Sequence, residues 1–219
     1  MGFVVRIDGV TLGHLDDAAR RQLPFAMKNA LNKTAQAVIE AEQAEMQTVF
    51  DTPRPYTLNS MFVREWATKE SLTAVVDFKD GRSGRSASKY LAAQIHGGAR
   101  RQKAIETVMI NRGLMPAGYK IIPAAVKLDR GGNITLAAFR KMIKGVDDGT
   151  HFALLRQRGK LEPGLYIRTR RGVRQLIIFV SNATYDKRFR YFETAQHAVR
   201  QEFRAIFDAE LSHALATAR

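Results

Sequence analysis

Lys89 to Glu106, "KYLAAQIHGGARRQKAIE", gathers His96, the pair Gly97-Gly98 and the cations Arg100, Arg101 and Lys103 ahead of a helix-forming segment. Backbone N–H groups around two glycines can form a nest for an anion, with the three cations as counter-charges. A nucleotide cradle also needs a Lys-Ser/Thr step to hold phosphate and metal, and none follows here. The same glycines can equally end one helix and turn the chain before the next.

Other chemistry-bearing types are sparse. The chain has no cysteine, which removes disulfides, thiolate zinc sites and thiol nucleophiles and fits a reducing cytosol. His14, His96, His151, His197 and His213 stand at no ligand spacing, so no metal is expected. Asp147-Asp148, before Gly149, is the one tight acidic pair and reads as turn chemistry. With no nucleophile elbow, HExxH or Walker loop, the sequence reads as a non-enzyme without a cofactor.

Arginine is what the sequence does cluster. Arg156, Arg158, Lys160, Arg168, Arg170, Arg171 and Arg174 fall within a β-prone stretch. Alternation along a strand would put Arg168 and Arg170 on one face, meeting Arg174 across a turn. A row of guanidinium groups suits a phosphate backbone or a ring of carboxylates. Nothing in the sequence reads as a base-specific element, so any DNA contact is expected to be sequence-independent and salt-sensitive.

The net charge of +14 is unevenly placed. The excess begins at Arg82: residues 82–130 hold ten Lys and Arg against two acids, including Arg82, Arg85, Lys89, Arg100, Arg101 and Lys103. Such a field attracts polyanions. No apolar run approaches the ~20 residues of a membrane span, and the start "MGFVVRIDGV" reads as a short strand rather than a secretory signal.

Several elements must position these groups. Leu23 to Phe50 is predicted as a long helix, with Pro24 in its first turn and an apolar stripe that includes Leu31, Val38 and Met46. Its length suggests packing on a neighbouring copy. Met61 to Trp66 and Leu72 to Phe78 read as a hairpin, followed by the flexible cationic loop Asp80 to Lys89. Short helices are predicted at Tyr90 to Ile95, Ala104 to Asn111 and in "TLAAFRKMIKG". Strands follow at Phe152 to Leu155, Gly164 to Arg168 and Val173 to Val180. From Tyr191 onward a second long helix carries Phe203 and Phe207 on its apolar face. The expectation is one α+β domain over 1–219, a mostly antiparallel sheet flanked by two long helices, with a basic, loop-rich insertion over 80–132.

In this order the elements resemble the phage minor tail protein Z, or tail completion, family. The likeness lies in "LPFAMKNALNKTAQAVIEAEQAEM", "SMFVREWATKESLTAVV", "KYLAAQIHGGARRQ", "GYKIIPAAVKL" and the closing "FETAQHAVRQEFRAIFDAELSHAL". The resemblance implies a virion protein at the head-proximal end of a long non-contractile tail, assembled in the host cytoplasm. It implies a ring, most plausibly sixfold, that helps join the tail to the filled head. Expected partners are further copies of the chain, tail-tube and neck or connector proteins, and phage DNA in the lumen. Subunit packing is expected through Leu31, Val38, Met46, Phe203 and Phe207. Two alternatives stand beside it: a tail terminator ring capping the tube, and a sequence-independent DNA-binding protein working alone.

Overall fold

Residue by residue, "DAARRQLPFAMKNALNKTAQAVIEAEQAEMQTV" contains enough good helix formers to start a helix six residues before the predicted Leu23. In the computed structural model, which describes residues 2–6, 17–79, 86–181 and 183–217, helix α1 therefore runs Asp17–Val49. Pro24 lies inside it rather than in its first turn. The chain divides into two compact units, Met1–His96 with Lys187–Arg219, and Gly97–Asp186. The sequence reading instead had one domain with an insertion over 80–132. The fold is α+β, with long helices near both ends of the chain and antiparallel sheets.

In the first unit, strand β1 (Gly2–Arg6), helices α1 and α2 (Pro55–Leu58), strands β2 (Met61–Glu65) and β3 (Thr73–Phe78), and helix α3 (Ala87–His96) precede the excursion. The three strands form an antiparallel sheet in the order β1-β3-β2. The final long helix, Tyr191–Ala216, lies antiparallel to α1, tied at one end by Lys33 to Glu210 and at the other by Arg190 to Glu45. Leu31, Ala35, Val38 and Met46 have no exposed surface. Leu31, Ala35 and Met46 join Val5, Ala74, Val76, Phe78 and Tyr191 in the core, and Val38 packs with Ala195 and Ala198. The α1 stripe is thus consumed within the unit, so Leu31, Val38 and Met46 present no surface to a neighbouring copy. Phe203 and Phe207 remain half-buried, their rings stacked at 6.0 Å.

Two polar details fix this unit. Asn32 on α1 clamps the β2–β3 connection, donating to the Ala67 carbonyl at 3.1 Å and accepting from its N–H at 2.8 Å. Glu42, also on α1, is completely buried, and among the described residues its carboxyl oxygens have no well-formed hydrogen bond, only a weak approach of the Ala195 amide.

The second unit opens with strand β4 (Gly98–Ala99), helix α4 (Ala104–Asn111), strand β5 (Lys120–Pro123) and helix α5 (Leu136–Asp147). Strands β6 (His151–Leu154), β7 (Gly164–Thr169), β8 (Gly172–Val180) and β9 (Thr184–Tyr185) complete it, and the long C-terminal helix is therefore α6. Strands β5 to β8 form an antiparallel sheet in the order β5-β8-β7-β6. The Thr135 hydroxyl accepts from the Ala138 N–H at 3.1 Å and so caps α5, the most amphipathic of the helices. Phe139 and Met142 of α5 join Leu165, Ile177 and Phe179 in a second core on one face of that sheet. β4 pairs with β9, so the entering and leaving ends of this unit are hydrogen-bonded to each other. Among the described residues, no helix is long and apolar enough to cross a membrane.

Candidate nucleic-acid interface

The "HGG" motif resolves as a helix stop. His96 ends α3 and its ring lies 6.0 Å from that of Phe192, while Gly97 and Gly98 take φ of 73° and 85°, a region that L side chains rarely adopt. The cations after the glycines part company. Arg100 is turned inward onto Glu106, donating to Oε2 at 2.9 Å. That carboxylate is fully buried and also accepts the backbone N–H groups of Lys103 at 2.7 Å and Ile121 at 2.9 Å. Burial alone would raise the Glu106 carboxyl, but the Arg100 guanidinium and the two amides hold it below the usual carboxylate range. Arg100 is therefore committed to the fold and is withdrawn from the set of partner-facing cations. Lys103 caps α4 through its backbone and reaches Asn133 at 3.4 Å. Arg101 and Lys89 are exposed, whereas Arg82 and Arg85 lie outside the described residues.

The second basic group, read in the sequence as one cluster, splits in two. Arg156, Arg158 and Lys160 are exposed on the β6–β7 loop, and Arg168, Arg170, Arg171 and Arg174 are exposed at the β7–β8 turn. These lie at opposite ends of β7, a strand of six residues, which puts them roughly 20 Å apart. Among the described residues, none of the seven forms an ion pair.

The turn at Arg170 and Arg171 is the more constructed of the two. Thr169 pairs with Gly172 across it, and the Thr169 hydroxyl donates to the Gly172 carbonyl at 2.9 Å. Gly172 takes φ of 125°, which lets a two-residue turn of negative-φ arginines close the ribbon. All seven residues from Arg168 to Arg174 are exposed. The Arg168 guanidinium lies 4.6 Å from the Phe152 ring centroid, and Phe152 stacks in turn on Tyr166 at 5.5 Å. This cation–π contact fixes one guanidinium in place without neutralising it. The two carboxylates at the C-terminal end of α5 are engaged locally: Asp147 accepts from Arg112 at 3.1 Å, and the C-cap Asp148 from the Thr150 hydroxyl at 2.6 Å.

The expected face-sharing of Arg168 and Arg170 does not occur, because the strand ends at Thr169 and Arg170 belongs to the turn. Nor does Arg174 meet Arg168. Its partner across the ribbon is Ile167, whereas Arg168 stands opposite Val173. His151, unremarked among the histidines, is buried between β6 and α5 and shares its Nδ1 with the Thr150 hydroxyl at 2.8 Å. A Cβ on Gly145 would fall 1.7 Å from that ring, so the glycine exists to admit it. No group of three or more His, Asp or Glu positioned for a metal occurs among the described residues. Comparison of the chain with family models, curated proteins and solved structures finds no match.

Proposed function

We propose that this chain is a structural assembly protein of a long-tailed phage virion, completing the head-proximal end of the tail tube and helping it join the DNA-filled head. The observation that carries the reading is the β7–β8 tip, seven consecutive exposed residues with four arginines and, among the described residues, no carboxylate paired to them. Exposed cations left unneutralised suit an external polyanion, and in a neck that polyanion is the genome or an acidic neighbouring ring. The reading is tested by preparing tails without this chain and adding it back. Joining to filled heads should be restored by the wild-type chain, and a ring should be seen at the tail end by electron microscopy. Tails that join heads equally well without it overturn the assignment.

A second reading, a DNA-binding protein working as a monomer, has an observation of its own. Leu31, Val38 and Met46, the stripe expected to pack against another copy, are buried inside the first unit. Light scattering on the purified chain separates the two. A hexamer, alone or in the presence of tail tubes, supports the ring, and a monomer in both conditions supports the second reading.

A further inference from the structure

The β7–β8 tip carries its charge on two faces. Residues directly opposed in an antiparallel ribbon share a face, and successive residues alternate. With Ile167 opposite Arg174 and Val173 opposite Arg168, these two arginines leave the ribbon on opposite sides. Ile167 packs into the second core, so Arg174 leaves on the α5 side, and Arg168 leaves on the side of Phe152 and Tyr166. Arg170 and Arg171 lead from the turn between them.

A flat acidic protein surface would be met by arginines on one face. A single strand would be met by exposed rings for bases to stack on. Here Phe152 is covered by Arg168, and Tyr166 is only 2% exposed. Two guanidinium arms spread from one narrow ribbon instead suit a cleft with anionic walls on both sides. The major groove of B-DNA is such a cleft, about 12 Å wide and able to admit a two-stranded ribbon. We infer that the β7–β8 hairpin enters the major groove of duplex DNA, with Arg168 and Arg174 on the opposing phosphate walls and Arg170 and Arg171 leading into it. Contacts to phosphate carry no sequence information, so the grip of Arg168 and Arg174 is sequence-independent. The inference rests on the preceding assignment of these arginines to an external polyanion, and commits that polyanion to a duplex.

The test is fluorescence anisotropy of the full chain across a sodium chloride series, with three probes: a mixed-sequence 24-base-pair duplex, its single strand, and poly-glutamate. The duplex should bind tightest, with log K falling against log salt at a slope of about −1.8 for the two phosphate contacts of Arg168 and Arg174. Arg168→Ala and Arg174→Ala should each flatten that slope by about 0.9, and Arg168→Lys should restore it. Arg156→Ala with Arg158→Ala and Lys160→Ala, at the far end of β7, should leave it unchanged. Methyl green, a major-groove ligand, should displace the chain, and the minor-groove ligand netropsin should not. Tighter binding to poly-glutamate or to the single strand overturns the inference, as does an unchanged slope in both single variants with thermal melts like the wild type. A chain that binds duplex in this way yet fails to restore head joining keeps the hairpin inference and loses the neck assignment. The opposite pair of results does the reverse.

Discussion

Glu42 sits in the core with its carboxyl pushed up to about 9 from an ordinary 4.5, first by burial and then by the nearby charge of Glu45; the Ala195 amide opposes this and Glu193 adds to it. The folded state therefore holds a proton that the unfolded chain releases above about pH 4.5, so stability falls as pH rises from there to about 9. The slope from one such group approaches about 1.4 kcal/mol per pH unit. Urea midpoints measured from pH 5 to 9 should decline in the wild type, and Glu42→Gln should flatten the decline and raise the midpoint at pH 8. Tyr191, whose hydroxyl is likewise buried without a partner, is raised in the same direction by burial and by Glu42. The Arg100–Glu106 pair behaves oppositely. Arg100→Ala would strand a fully buried carboxylate and should cost about 3–5 kcal/mol in chemical denaturation, whereas Arg170→Ala on the exposed tip should change stability by less than about 0.5 kcal/mol.

At the level of elements, two glycines carry opposite lessons. Gly145→Ala places a methyl group against the His151 ring inside the α5–β6 contact and should lower stability by about 1–3 kcal/mol. Gly172→Ala meets open space but a φ of 125°, so strain falls on the hairpin turn alone. Thermal stability should drop modestly, while the affinity for duplex falls with every arginine still in place. Most of the longer helices and strands were legible in the sequence, because hydrophobic period and breaker residues set them locally: the predicted strand Val173 to Val180 is β8 from Gly172 to Val180, whereas α1 begins six residues early and the short α2, β4, β5 and β9 were not foreseen. The facing of Arg168 and Arg174 was not legible, since it depends on where the turn falls. One residue of register exchanges the two faces. The capture of Arg100 by Glu106 was hidden for a different reason: a loop cation six positions before a carboxylate in the first turn of α4 gives no periodic signal.

For the molecule as a whole, the division at Gly97 and Asp186 left no compositional mark, because the pairing that closes it, Gly98 with Tyr185 and Ala99 with Thr184, is two residues long. The predicted insertion boundary at 80–132 followed charge, and charge does not report compactness. The burial of the α1 stripe against α6 and the three-stranded sheet was equally invisible, since an apolar face reads alike whether its cover is near or far in sequence. That burial has a measurable consequence. Leu31→Ala should cost about 2–5 kcal/mol in a dilute monomer, independent of protein concentration, whereas a subunit-packing role would make the loss concentration-dependent.

The first unit also brings its two chain crossings together, for the N–H groups of Arg188 and Phe189 both donate to the Gln94 carbonyl, at 2.9 and 3.0 Å. Residues 97–186 are thus a closed excursion, leaving and returning at neighbouring points on each side. Closing a disordered loop of about 90 residues costs roughly 4 kcal/mol in chain entropy. If the excursion folds first, that cost is met before α6 docks on α1, and the joining of the two long helices becomes a short-range event. Refolding of the whole chain should then show the β5–β8 sheet protected from hydrogen exchange ahead of α1 and α6, the two helices nearest the ends of the sequence closing last.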